Sequence, residues 1–467
     1  MASSDKVNAA GLVKGLGLTD ASTLVMGSMI GSGVFIVSAD IARQTQSPGL
    51  LMMTWVVTAA LTIIAALSYG ELAAAMPKAG GMYVYLREAF GPLSGFLYGW
   101  TLFTVIQTGT IAAVAVAFAK FLGEFFPAVS ATNWIVRIGP MGLNTQMTAA
   151  IALLAFLTWV NTRGLKAGAR VQNVFTFAKI GALAALIVLG IALGRRPEAI
   201  SANFGNFWGG TEWGWAAVKM VGLAMVGSLF SSDAWHSVTF TAGEVRNPQR
   251  NLPLSLALGV GVVSVIYLLC NLVYLMALPL GGIQSAPEDR VATAVMTVMF
   301  GEAATWMMAM AVLVSTFGCV NGLVMTGSRV YYAMAQDGLF FKACGRVDAK
   351  THVPVVSLWV QCAWGSALTL SGTYSDLLDY VIFAVLLFYI LTIAGLFVLR
   401  RTRPGMERPY RAIGYPVLPA LYIGAAAVIE IVLLLYKPRY TWPGLLLVLT
   451  GIPVYWGWTL LKKKKEA

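Results

Sequence analysis

Apolar stretches of membrane-crossing length recur along the whole chain, separated by short gaps of polar, glycine and proline residues. They fall near 17–44, 49–75, 93–125, 144–161, 170–194, 214–241, 253–278, 291–333, 354–372, 375–400, 415–436 and 441–461. A helix needs about 20 apolar residues to cross a bilayer. The pattern therefore predicts an all-α membrane protein with twelve transmembrane helices, spans 1 to 12 in order. The longest polar stretches, near 334–353 and 400–414, are too short to carry a core of their own, so no soluble domain is expected.

Composition agrees with this pattern. Of 467 residues, 58% are hydrophobic and 11% charged, whereas soluble domains carry about 25% charged residues. The net charge of +12 does not point to nucleic acid, because the basic residues sit in short gaps and form no continuous stripe. Threading the twelve spans puts 22 of the 32 Lys and Arg residues on one side, from Lys6, Lys14 and Lys78 to the Arg400–Arg411 cluster and the Lys462–Lys465 tail. Nine fall on the other side, and Lys179 stays within a span. Positive-inside bias then places both termini in the cytoplasm, with the lysine tail acting as a stop after the last span. Residues 1–15 lack the apolar core of a secretory signal. Cys270, Cys319 and Cys362 lie in apolar runs and Cys344 in a polar loop, so no disulfide framework is supported. With only His236 and His352 and scattered carboxylates, neither a metal, a cofactor nor an enzyme's acid–base cluster is expected.

Two spans carry interruptions at matching places. Span 1 contains Gly27-Ser28-Met29-Ile30-Gly31-Ser32-Gly33-Val34-Phe35, where glycines let a helix open. Span 6 contains Leu229-Phe230-Ser231-Ser232-Asp233-Ala234-Trp235, with small polar residues and a carboxylate at mid-membrane. The two spans enter the bilayer from opposite sides, as an inverted repeat requires. Segment 17–194 (spans 1–5) and segment 214–400 (spans 6–10) form the halves, and 415–461 adds spans 11 and 12. Segments 1–16 and 462–467 form an N-terminal segment and a basic tail, both cytoplasmic. An opened helix frees N–H groups that can hold a carboxylate and carbonyls that can hold an ammonium group. An α-amino acid carries both.

These residues resemble the amino acid, polyamine and organocation transporter superfamily, in particular its L-type amino acid transporter branch. The resemblance continues through Ser47-Pro48-Gly49, Tyr69-Gly70-Glu71-Leu72, Pro77-Lys78-Ala79-Gly80-Gly81-Met82-Tyr83-Val84-Tyr85, Asn161-Thr162-Arg163-Gly164, Gln172-Asn173, Gly243-Glu244-Val245-Arg246-Asn247-Pro248, Asn251-Leu252-Pro253, Asn321-Gly322 and Ser328-Arg329. It covers roughly residues 15–345, and it implies a LeuT-like five-plus-five inverted repeat with two added helices, working by alternating access. It places a substrate carboxylate near the amides of Ser32 and Gly33, with Gly31 allowing close approach. The substrate amino group would face carbonyls around Met29, Phe230 and Asp233, beside Ser231. Phe230 would close over substrate, and Ile106, Gly109 and Thr110 of span 3 would form a wall.

Lys179 lies nine residues beyond Arg170, about 14 Å along the helix at 1.5 Å per residue. Snorkelling would need a reach back over two turns. In the resembling transporters a lysine at this place takes the position of a sodium ion between spans 1, 5 and 8, implying sodium independence. Either it is a permanent cation suited to exchange, or it gives up its proton in a symport cycle. Ser315 and Thr316 either line the same site or bond their own backbone. Asp233 departs from the small residues usual in this family. Three readings stand for it: recognition of a cationic substrate side chain, proton uptake, or a structural lock with neighbouring amides and His236, the last leading. Glu71 and Glu244 close spans 2 and 6 as caps or as gates.

The expected activity is sodium-independent transport of α-amino acids across the plasma membrane, by exchange of neutral amino acids. A proton-coupled symporter and a basic amino acid or polyamine antiporter are the alternatives. Mammalian L-type relatives join a heavy chain through a cysteine between spans 3 and 4. The segment 126–143 has none, so no disulfide-linked heavy chain is expected and a single chain should suffice.

Overall fold

A computed structural model describes residues 11–138, 141–371 and 374–466. Lys6 and the side chains of Lys462–Lys465 lie outside the described residues. Among those described, nine helices are long and apolar enough to cross a membrane, and one bent pair is a tenth. They correspond to spans 1, 2, 3, 5, 6, 7, 8, 10, 11 and 12, whose numbers are kept as labels. The expected spans 4 and 9 are helices of 18 and 16 residues, Thr145–Thr162 and Val355–Leu370, and fall short of that standard. The run 291–333 divides into a short helix, Val291–Phe300, and a long one, Ala303–Gln336, which alone is span 8. Gly301 makes the separation, in a positive-φ conformation that favours glycine.

Proline and glycine set several starts. Pro48 occupies the first turn of span 2, Pro48–Ala75, and Pro92 that of span 3, Pro92–Phe125; proline fits there because a first-turn N–H has no helical partner. Pro248 begins span 7, Pro248–Ala277, rather than ending span 6, and the chain turns at Glu244–Asn247 before it. Between spans 3 and 4 a two-stranded antiparallel hairpin, Trp134–Ile138 with Met141–Asn144, interrupts the otherwise helical fold.

Span 1 is the bent pair, Leu18–Met29 and Gly33–Thr45, meeting at 41°. Span 6 combines the helix Trp215–Ser231 with a tighter helical segment, Trp235–Glu244. The second half of span 1 packs on the first half of span 6, span 2 on span 7, and span 3 on span 8. Both breaks are thereby enclosed by spans 3, 5, 7, 8 and 10.

At the face where span 1 begins, here the N-terminal face, Glu71 is almost fully buried and receives Arg400 through two nitrogens at 2.9 and 2.6 Å. Arg408 lies 3.3 Å away, and the amide of Ala412 donates at 2.7 Å. This carboxylate therefore ties the end of span 2 to the segment following span 10, Tyr374–Thr402. Removing one partner of such a buried pair costs about 3–5 kcal/mol when the other charge remains. Glu71→Gln should lower the thermal midpoint of the detergent-purified protein by several degrees. An unchanged midpoint by size-exclusion thermal scanning would show that the clamp contributes nothing.

Candidate functional site

The site begins where span 1 loses its helical bonding. Ile30 is extended, with φ −77° and ψ 93°, so the chain leaves the helix at Met29 and re-enters it at Gly33. The carbonyls released here are claimed by neighbours. Lys179 Nζ donates to the carbonyls of Gly27 at 2.6 Å, Ile30 at 2.7 Å and Ser315 at 3.1 Å. An ammonium group has three protons, and each finds an acceptor. The side chain is 1% exposed and points into the bundle, so it does not snorkel.

Span 5, Leu165–Leu193, presents this lysine as the last member of a polar stripe. Gln172, Thr176 and Lys179 fall at helical spacing on the face turned to span 1, where Thr176 Oγ1 donates to the Thr23 carbonyl at 3.1 Å. Gln172 also accepts from Asn321 of span 8 at 2.9 Å, and Asn161 of span 4 donates to Asn321 at 3.0 Å. Gly27 is needed for this contact, since a Cβ there would stand 2.0 Å from Gln172 Nε2. Of the two hydroxyls considered in span 8, Ser315 joins the site, donating to the Ile30 and Gly31 carbonyls at 3.1 and 2.8 Å. Thr316 bonds its own helix at Val312.

A cavity opens on the other face of the break, lined among others by Met29, Gly31, Ser32, Gly33, Thr110, Phe230, Ser231 and Asp233. Eight of the ten residues expected to contact substrate are thus brought together. Ile106 and Gly109 are not among them. Span 3, which has a wide π-helical turn at Leu102–Ile106, lines this cavity with the expected Thr110 and with Val114. Of the first-turn amides of the Gly33–Thr45 helix, that of Phe35 donates to the Ser32 carbonyl at 3.1 Å, while those of Gly33 and Val34 precede the first helical acceptor and are suited to an anion. The carbonyls are more committed than expected: Tyr267 Oη lies within hydrogen-bond reach of those of Met29 and Ser231, at 3.2 and 3.1 Å, with one proton to share between them, and the Phe230 carbonyl accepts from the Asp233 amide at 3.2 Å. Tyr267, a buried residue of span 7, was not legible as a site residue in an apolar run rich in similar side chains.

Phe230 and Ser32 also line a vestibule on the face opposite the start of span 1, with Lys120, Glu288 and Arg290 at its rim. The cavity beneath has room for about one water molecule, so an amino acid requires Phe230 to move. At the rim, Lys120 meets Glu288 at 2.8 Å and Arg290 meets Glu124 at 2.7 Å. The hydrogen bond from Lys120, opposed by partial burial and assisted by Arg290, holds the Glu288 carboxyl below its ordinary value. Because that value is lowered, the pairing is intact at neutral and mildly acid pH and is lost as pH falls through it.

At the N-terminal face a wide cavity is lined by Leu12, Lys78, Arg87, Gly243 and Asp337, and beside it stands a buried ion pair. Arg329 binds Glu244 through two nitrogens at 2.8 and 2.9 Å, with both side chains at most 1% exposed. The Glu244 carbonyl also accepts the amides of Gly15 and Leu16, each at 3.0 Å. Glu244 therefore acts in a buried lock between spans 6 and 8.

At the second break, Asp233 is bound by Tyr389 of span 10, whose hydroxyl also contacts His236 Nδ1 at 2.6 Å. The expected contact between Asp233 and His236 thus runs through a third residue. Ala234 turns the chain in a left-handed conformation, φ 63°. The four cysteines are free and buried, Cys344 included despite its polar sequence surroundings. Among the described residues no group of three or more His, Cys, Asp or Glu side chains could hold a metal ion.

The sequence profile of a family described as amino acid permease matches residues 16–456. Among similar proteins is the large neutral amino acids transporter small subunit 2 of Mus musculus, 31% identical over 95% of this chain and 81% of that protein. The Asc-type amino acid transporter 1 of Mus musculus is 29% identical over 95% of this chain and 81% of its own length. The b(0,+)-type amino acid transporter 1 of Mus musculus is 29% identical over 97% and 89%.

A Cβ on Gly33 would stand 2.1 Å from Ser231 Oγ and 3.1 Å from the Ser231 Cα. Overpacking costs about 1–3 kcal/mol, so Gly33→Ala should weaken amino acid binding by roughly tenfold or more. Scintillation proximity binding with labelled leucine measures this, and wild-type affinity would contradict the close approach of the two breaks.

Proposed function

The chain belongs to the amino acid permease family, and from that membership we propose that it exchanges α-amino acids, chiefly neutral ones, across the plasma membrane without sodium. The observation that carries the reading is the Lys179 ammonium group held by the carbonyls of Gly27, Ile30 and Ser315. A fixed cation there organises the opened backbone in the way a bound sodium ion would, leaving transport no need of sodium. The relatives' names, all of amino acid transporters, support the substrate class.

In this reading the α-carboxylate sits at the amides of Ser32 and Gly33, and the ammonium group lies toward the carbonyl side of the two breaks. Phe230 separates the bound molecule from the vestibule. Segments 17–194 and 214–400 act as inverted halves. The pairings of span 1 with 6, 2 with 7 and 3 with 8 are those an inverted repeat would make. With both termini cytoplasmic, the vestibule faces outward and the Glu244–Arg329 pair seals the inner route. Inward opening then requires that pair to separate or move as a unit. One relative is named a small subunit, which describes a chain with a companion. The cysteine-free 126–143 segment supports transport by this chain without a disulfide-linked partner.

Purified protein in liposomes tests the reading. Labelled leucine and alanine should enter only when the lumen holds amino acid, at a rate indifferent to sodium. Uptake into empty liposomes, or a requirement for sodium, would overturn it. Lys179→Ala should slow exchange by at least about tenfold, the loss of more than one charge-assisted hydrogen bond at about 1.5 kcal/mol or more each, while part of the leucine binding remains. Wild-type turnover in that variant would remove the lysine from the mechanism.

A further inference from the structure

The second break holds a hydrogen-bond chain whose proton count has a functional consequence. Tyr389 Oη lies 2.5 Å from Asp233 Oδ1 and 2.6 Å from His236 Nδ1. All three residues are buried. A phenol has one proton to donate, so it can serve only one of these neighbours and must accept from the other. With the imidazole kept neutral, as burial without a directly paired carboxylate favours, two arrangements satisfy every contact. In the first, His236 Nδ1–H donates to Tyr389, which donates to an ionised Asp233. In the second, a protonated Asp233 donates to Tyr389, which donates to a bare His236 Nδ1.

The arrangements differ by one proton. A proton arriving at His236 Nε2 forms an N–H bond there. The Nδ1 proton then passes to the Tyr389 oxygen, and the tyrosine's own proton passes to Asp233. Asp233 gains an O–H bond, its charge falls from −1 to zero, and imidazole and phenol end neutral. Reversal returns the proton through the same atoms. Asp233 can therefore change charge without losing its partner, which a carboxylate buried alone could not do cheaply.

Asp233 lines the substrate cavity and also a second cavity behind it, bounded by Thr62, Ser232, Tyr389 and Tyr422 and with room for about one water. The other titratable groups facing the chain are Tyr69 of span 2, in edge contact with both Tyr389 and His236, and Tyr98 of span 3 and Cys319 of span 8, both within electrostatic reach of Asp233. Tyr422 of span 11 is likewise within reach of Asp233 and, further along its own helix, of Glu430. The nearby cation Lys179 has its protons on carbonyls. Among the described residues no Lys or Arg pairs with Asp233, so a proton is the countercharge the structure offers it.

We propose that Asp233, Tyr389 and His236 form a proton-transfer unit that sets the charge of the substrate site. Asp233 is protonated opposite a neutral amino acid and surrenders its proton when an amino acid with a cationic side chain replaces it. The inference rests on the exchange reading above. Charge then balances over a cycle: a cationic substrate moves inward, while a proton moves outward with the neutral substrate it is exchanged for. Tyr389 and His236 are positioning and relay residues, since neither lines the substrate cavity.

The test uses the full-length protein in liposomes containing leucine and trapped pyranine, with potential clamped by potassium and valinomycin. External lysine should raise luminal pH by about one proton per lysine taken up, as the single relayed proton requires, and its uptake should not respond to the clamped potential. Leucine-for-leucine exchange should leave the pH unchanged. Tyr389→Phe should keep leucine exchange within a few-fold while the lysine-driven alkalinisation falls at least tenfold; His236→Gln should behave alike. Lysine entry without alkalinisation, or an undiminished signal in Tyr389→Phe, overturns the proposal. Leucine exchange with lysine refused overturns it too and leaves the exchange reading standing; absence of leucine exchange sinks both.

Discussion

A lysine ammonium group sealed inside the bundle is the constraint around which this protein is arranged. Leaving such a charge unsatisfied in a low-dielectric interior costs several kcal/mol, so the surroundings must supply acceptors. A continuous helix offers only second lone pairs, because its carbonyls already accept from its own amides. The opened segment of span 1 and the carbonyl of Ser315 provide them. Lysine and break are thus mutually dependent: the cation holds the carbonyls that an unwound helix would otherwise bury unpaired, and the break gives the cation its ligands.

The consequences spread from that point. With carbonyls of the break turned toward spans 5 and 8, the first-turn amides of the Gly33–Thr45 helix face the cavity shared with Phe230 and Asp233. Tyr267 joins the two breaks by touching carbonyls of both. The N-terminal face is held by charge, in Glu244–Arg329 and Glu71–Arg400. Closure at the opposite face falls to an aromatic side chain beneath a rim of partly exposed ion pairs.

Much of this was readable from residue types out of place. Glycines within a span marked the first break, a carboxylate with small polar neighbours marked the second, and a lysine in an apolar run had few ways to be satisfied. What escaped the sequence were partners of common type at great separation. Tyr389 lies 156 residues from Asp233 and resembles any tyrosine of a buried helix. Tyr267 is disguised in the same way. Of the wall expected from span 3, Thr110 lines the cavity and Ile106 and Gly109 do not, a register that an apolar helix does not reveal. The expected span 4 matches its helix in length, and polar residues such as Gln146 and Asn161 keep that helix short of a crossing segment, whereas the expected span 9 exceeds its helix by three residues. The hairpin of Trp134–Ile138 and Met141–Asn144 lies in what the sequence offered only as the loop between spans 3 and 4.

Lys179 is the group that holds the opened backbone of span 1. Hydrogen–deuterium exchange of a peptide covering Gly27–Phe35 addresses this directly, comparing wild type with Lys179→Met in detergent. Protection of that peptide in wild type and its loss in the variant, with span 7 unchanged, is the expected result. Equal exchange in both proteins would contradict the claim that the lysine organises the break.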